Sequence, residues 1–373
     1  MRKSFLVVLS TLIVLTLLVS ACAQPTPVPQ PTATQPPAAE APTEAPTEAP
    51  TALQPTTAPA EGAVRVGMVT DVGGIDDASF NATSWRGVEI AMEELGVEGQ
   101  YLESQQQTDY ARNITEFLQQ GYDLIVTVGY LLGEDTATFA QQNPDVPFAI
   151  VDYAYDPPID NVLGLTFATD EAAVLAGYLA AGMTETGTVG TFGGLEIPTV
   201  TIFMQAYAQG VAHYNEVHGT DVQVLGVDFF VGNFESTDDG RRAGESLMDE
   251  GADIIMPVAG PVGLGTAAVV QERGGMLVGV DTDWTVSAPD YEDIVLTSVL
   301  KHMDVAVFEA IQQVVEGTFE GGTYVGTLDN DGVGLAPFHS FDDQVPQELK
   351  DELAELQQQV MAGEVWTGWG EQP

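Results

Sequence analysis

Apolar runs of strand length alternate with amphipathic stretches of helical period through most of this chain, and that alternation restricts its fold more than any other feature. Val64–Val69 reads as a strand, after which Trp85, Val88, Met92 and Leu95 fall on one face of a helix. Ile114, Phe117 and Leu118 precede a strand at Leu124–Val128, residues 136–142 precede one at Phe148–Val151, and 171–183 reads as a helix. A second set starts at Thr188–Phe192 and runs through helix 203–213, strand Val222–Leu225, helix 241–250, strand Ile254–Met256, helix 266–272 and strand Met276–Val280. Apolar strands joined by helices imply parallel sheets covered on both faces. At 373 residues the chain is long enough for two such lobes. Residues 294–299 and helix 305–315 follow an already complete second set, so the chain is expected to return there to the first lobe. The expected class is α/β, with two Rossmann-like lobes of parallel sheet joined by a multi-strand hinge. The expected division is an N-terminal lobe of residues 63–168 and 298–322 and a C-terminal lobe of 169–297 and 323–373.

The segment ahead of the first strand has a different character. Arg2 and Lys3 make a positive start, Phe5–Val19 is an apolar stretch too short to span a bilayer as a mature helix, and Val19-Ser20-Ala21-Cys22 reads as a lipobox. Residues 1–21 are therefore expected to be a lipoprotein signal peptide, with cleavage before Cys22 and lipidation of its sulfur holding the protein outside the cytoplasm. Residues 22–62 are rich in Pro, Thr, Ala and Glu, a composition that cannot bury a core and suits an extended tether.

Charge and cysteine usage exclude several function classes. Ten Lys and Arg against 55 Asp and Glu leave a formal charge of −45, which repels polyphosphate backbones and excludes nucleic acid as a partner. Cys22 is the one cysteine, so the globular part has no disulfide, thiolate metal cage or catalytic thiol. The four histidines, His213, His218, His302 and His339, lack metal-ligand spacing. No metal or cofactor is expected. Lysine occurs only at positions 3, 301 and 350, which makes one at an internal strand end conspicuous.

Carboxyl ends of parallel strands face the crevice where open α/β sheets bind ligands. Here Val69-Thr70 runs into Asp71 and a Gly-bearing loop to Phe80 and Asn81, Val151 runs into Asp152, Val280 into Asp281, and Leu300 into Lys301. Carboxylates accept bonds from vicinal hydroxyls, an ammonium orients ring heteroatoms, and aromatic faces stack on flat rings. The implied ligand combines a flat ring with several hydroxyls. Asp76 and Asp77 read instead as helix-capping acids.

These residues resemble a known family. The segments VTDVGGIDDASFN (69–81), GYDLI (121–125), GLTF (164–167), GGLEIP (193–198), GVDTD (279–283), LTSVLK (296–301) and GVGLAP (332–337) are similar to those of the BMP (basic membrane protein) family of ABC-transporter substrate-binding lipoproteins, purine nucleoside receptor-like members included. The resemblance covers residues 63–340 and implies the type I periplasmic-binding-protein fold, closing on a nucleoside delivered to a membrane permease. It implies that Asp71 hydrogen-bonds the ligand near the first strand end, Phe80 stacks on the base with Asn81 beside, Asp152 addresses the base or neighbouring groups, and Asp281 accepts the ribose hydroxyls. By the same resemblance Lys301 orients the ligand, Phe234 is a second stacking ring, Phe203 opens a ligand-facing helix, and Gly260 admits close backbone approach. Asn233, where members often carry Ser, and His302, often Arg, depart from the pattern. A monomer is expected.

Other classes fit less well. Gly263-Leu-Gly265-Thr-Ala-Ala268 followed by Asp281 imitates a dinucleotide loop of a nicotinamide-dependent oxidoreductase, without a companion acid–base constellation. Asp281 and Asp283 imitate a glycosidase pair, but two carboxyls on one strand face do not flank a bond from opposite sides. A sensor ectodomain of the same fold, binding another aromatic ligand such as riboflavin, shares every feature above except the permease.

Overall fold

The computed structural model describes residues 62–370. The expected signal peptide, Cys22 and the tether to residue 61 lie outside the described residues. The first lobe is built on β1 (Arg65–Val69), β2 (Glu98–Leu102), β3 (Leu124–Val128), β4 (Phe148–Val151) and β5 (Val162–Phe167), with helices α1 (Phe80–Glu94), α2 (Tyr110–Gln119) and α3 (Gly133–Gln142). The second carries α4 (Thr169–Met183), β6 (Thr188–Gly193), α5 (Pro198–His218), β7 (Gln223–Leu225), α6 (Thr237–Asp249), β8 (Ile254–Val258), α7 (Val262–Arg273), β9 (Met276–Asp281), the short α8 (Trp284–Ser287) and β10 (Val295–Lys301). The chain then supplies α9 (Met303–Glu316), β11 (Gly322–Gly326), β12 (Val333–Leu335) and α10 (Gln347–Met361).

The strands form two six-stranded sheets, ordered β11-β5-β4-β3-β1-β2 and β12-β10-β9-β8-β6-β7. All pairings are parallel except β10 with β12. Every residue of β3 and β8 is buried, as expected of central strands covered by helices on both faces. Pro257 lies in β8 but has no N–H to donate, and the β8–β9 ladder, which pairs Ile254 with Met276 and Ile255 with Leu277, stops before it. The backbone ladder between the two strands is thus interrupted toward their carboxyl ends.

The topology corrects the expected division at the crossovers. β10 pairs with β9 and β12 in the second sheet, so residues 295–301 do not return to the first lobe. The return starts with α9, which packs against α1, and β11 joins the first sheet beside β5 before β12 crosses back. Strand membership is decided by pairing with residues distant in sequence, which periodicity does not report. The crossing segments are tied side by side, with Ala168 N donating to Gly326 O at 2.8 Å and His302 N to Gly332 O at 3.0 Å.

Candidate functional site

A cavity of about 610 Å³, its open mouth included, lies at the carboxyl ends of strands from both sheets. That size lies within the range of small-molecule sites. Asp71, Phe80, Asn81, Asp152, Phe203, Phe234, Gly260, Asp281 and Lys301 all line it, so the structure brings all nine sequence-predicted residues together. Asp71 follows β1 and Asp152 follows β4 in the first sheet, while Asp281 ends β9 and Lys301 ends β10 in the second. Lys301 therefore comes from the second lobe, opposite to the expected side, because its strand belongs to that sheet.

The loop after β1 is organised around Asp77. Its Oδ1 accepts the N–H groups of Ser79 and Ala82, both at 3.0 Å, and its Oδ2 accepts those of Asn81 backbone at 2.7 Å and side chain at 3.1 Å. The expected capping role is thus present, although Asp77 also lines the cavity. Asn81 passes the order on, since its Oδ1 accepts Asp71 N at 3.0 Å. Asp71 in turn receives Val72 N at 2.7 Å and the Tyr110 hydroxyl on Oδ1. Gly129, after β3, has φ +116°, and a Cβ there would strike the Asp71 carboxyl group.

Two polar links join the lobes. Lys301 Nζ donates to Asp152 Oδ2 at 2.6 Å and lies 3.8 Å from Asp281 Oδ1, while Ser79 Oγ donates to Asp281 Oδ2 at 2.8 Å. Lys301 is 2% exposed, and its Nζ lies 4.9 Å from the Phe80 ring centre, 5.5 Å from Phe167 and 5.8 Å from Phe203. The cavity is thus an aromatic enclosure around one ammonium, at distances where ring faces attract a cation. Asp152 and Asp281 both adopt left-handed backbone, at φ 65° and 69°, a strained choice for a side-chain-bearing residue that turns each carboxyl off its strand end.

Burial dominates the electrostatics. Desolvation pushes Asp71 up to about 6, against the lowering bonds from Tyr110 and Val72. Asp77 is likewise pushed up to about 6 by burial, against three backbone N–H groups. Burial raises Asp152 as well, opposed by Lys301. Four buried carboxyl groups face one ammonium. Such a site suits neutral or cationic ligands rich in N–H and O–H donors, and repels anions.

The structure disposes of the rival motifs. Gly263 and Gly265 sit inside α7, where a Cβ would strike Trp284 and the Thr237 carbonyl respectively, so they serve helix packing rather than a phosphate loop. Asp283 caps α8 through Thr285 N at 3.0 Å and pairs with His339 at 2.7 Å, apart from the role of Asp281. Asn233 braces the loop before α6 by accepting Ser236 N at 2.8 Å, and does not line the cavity. Sequence reasoning missed Ser79, Tyr110 and Gly129. Only Gly129, directly after an apolar strand, carried a signal comparable to that of Asp152.

Comparison with known proteins follows the same lines. Residues 64–365 match the family model described as ABC transporter substrate-binding protein PnrA-like. The ABC transporter nucleoside-binding protein BmpA of Lactococcus lactis subsp. cremoris is 29% identical over 81% of this chain and 88% of its own length. An uncharacterised lipoprotein of Pyrococcus furiosus is 31% identical over 81% of each chain. A crystal structure of an ABC transporter solute-binding protein from Aeropyrum pernix superposes with a TM-score of 0.76 at 28% identity, covering 81% of this chain and 92% of the other. Among the described residues no helix is long and apolar enough to cross a membrane. With its two parallel sheets, interlobe cavity and family match over four-fifths of its length, this chain belongs to the Bmp family of PnrA-like ABC-transporter substrate-binding proteins.

Proposed function

We propose that this protein captures nucleosides, purine nucleosides foremost, in the interlobe cavity and hands them to a membrane permease, anchored outside the cytoplasm through lipidated Cys22. The observation that carries this reading is the convergence of Asp71, Asp152, Asp281 and Lys301 with the rings of Phe80, Phe203 and Phe234 around one cavity. Flat rings fit between phenylalanines, and vicinal hydroxyls fit a carboxylate held by Ser79 and Lys301. The name of the Lactococcus relative points the same way.

Closure supplies the mechanism. Ligand contacts from both sheets stabilise the closed arrangement only by their differential affinity for it, so a ligand touching both Asp71 and Asp281 draws the lobes together. The closed surface is then the signal a permease reads.

Calorimetric titration with inosine, guanosine, adenosine and their 5′-monophosphates tests the proposal. Nucleosides are expected to bind, and the monophosphates to bind roughly a hundredfold more weakly, about 2.7 kcal/mol, because buried carboxyls face the added charge. Absence of binding by every nucleoside, or riboflavin binding in their place, overturns the reading.

A further inference from the structure

Asp71 enters the cavity with one carboxyl oxygen already engaged. Its Oδ1 accepts Val72 N at 2.7 Å and the Tyr110 hydroxyl. Among the described residues no protein donor reaches Oδ2, which packs where a Cβ on Gly129 would otherwise lie. Tyr110 itself does not line the cavity. It opens α2, is 1% exposed, and packs in an apolar cluster with Ile114 and Phe117. A phenol hydroxyl in such surroundings is costly unless bonded, and its bond here is to the carboxyl group that faces the cavity.

From this geometry we propose that Tyr110 is a positioning residue for ligand capture: its hydroxyl occupies Oδ1, fixes the orientation of Asp71, and leaves Oδ2 as an ionised acceptor for a donor group of the ligand. The group received there is an N–H, amino or hydroxyl donor, not a carbonyl. The inference takes the ligand's identity from the nucleoside reading but its chemistry from the two residues.

Ionisation of Asp71 gives the proposal its readout. Burial is the largest influence on this carboxyl, the bond from Tyr110 opposes it, and Asp152 and Glu235 add to it. Those neighbours come from the end of β4, with Lys301 behind it, and from the loop before α6. Asn81 faces Asp71 from α1 and links it to Asp77, while the charge of Asp135 on α3 acts on Tyr110 from a distance. Burial pushes Asp77 up to the same range, so any transition it adds to the profile is told apart by its indifference to Tyr110. An acceptor carboxylate is present above its pKa and lost below it. Removing a donor that favours the ionised form moves the midpoint up, here by about one pH unit, equivalent to about 1.4 kcal/mol for a charge-assisted bond.

Inosine affinity of the full-length chain measured by calorimetry from pH 5.5 to 8.5 is the test, for wild type, Tyr110→Phe, Asp71→Asn and the double variant. Tyr110→Phe is expected to weaken binding about fivefold near pH 6, as the ionised fraction falls from about one half to about one tenth, yet to stay within about twofold at pH 8. In the Asp71→Asn background the hydroxyl should no longer move the profile. Equal weakening at every pH, or an unmoved profile, overturns the proposal. If wild type binds no nucleoside at any pH, the nucleoside reading fails, and the carboxyl ¹³C titration of Asp71 without ligand decides this one: a raised midpoint in Tyr110→Phe supports it, an unmoved midpoint overturns it. Should that variant not fold, 3-fluorotyrosine at position 110 strengthens the donor and is expected to lower the midpoint; no change overturns the proposal.

Discussion

Lys301 Nζ lies 2.6 Å from Asp152 Oδ2, and the pair joins the second sheet to the first inside the cavity. Both side chains are almost wholly buried, at 2% and 7% exposure, so removing either leaves the other without its partner away from water. The bond therefore acts on lobe association and on ligand electrostatics together.

Lys301→Met leaves Asp152 buried without the group that opposes its desolvation. We expect a loss of about 3–5 kcal/mol in urea unfolding at pH 8. Without Lys301 the Asp152 carboxyl rises further, its protonated form becomes the tolerated one, and the loss shrinks as pH falls. Adding Asp152→Asn should recover much of the stability at pH 8.

Asp281→Ala is expected to weaken nucleoside binding by about 2 kcal/mol or more through lost charge-assisted bonds. Calorimetry checks it, and unchanged affinity removes Asp281 from the ligand.

Asp71→Asn should trade affinity for stability. A carboxyl pushed from 3.8 to about 6 in the folded state favours folding while protonated, so its contribution is full below about pH 4 and lost as pH rises through about 6. Asparagine has no charge to bury and keeps an oxygen for Tyr110 and Val72. Urea unfolding is expected to give a gain on the order of 2 kcal/mol at pH 7.5, vanishing near pH 4.

Gly129→Ala puts a methyl group against the Asp71 carboxyl at a φ of +116°. We expect destabilisation of about 2 kcal/mol or more by thermal unfolding, with weaker nucleoside binding.

The α/β alternation was legible because buried parallel strands must be apolar throughout, as β3 and β8 are. The edge strand β2 was not, although the edge strand β7 was: β2 is partly exposed and contains Gly99 and Gln100, so nothing in its composition marks it. Asp71, Asp152, Asp281 and Lys301 could be read because each ends an apolar strand or lies within two residues of its end. The sheet to which Lys301 belongs could not, since the β9–β10 pairing is a long-range choice that local pattern does not encode. Tyr110 was illegible for another reason. It reaches the site across the fold from the start of a helix, and a tyrosine there looks like any other core aromatic.

The left-handed residues Asp152 and Asp281 occupy similar places, at the carboxyl end of the third strand from the outer end of each sheet, just past β4 in one and at the last residue of β9 in the other. One backbone device is thus used twice, once per lobe, and by itself it would present the ligand with two equivalent halves. Equivalence is broken at the adjoining strands, where β5 ends in Phe167 and β10 ends in Lys301. A single ammonium, 5.5 Å from the centre of that phenyl ring, thus makes the two halves chemically unlike where their backbones are alike.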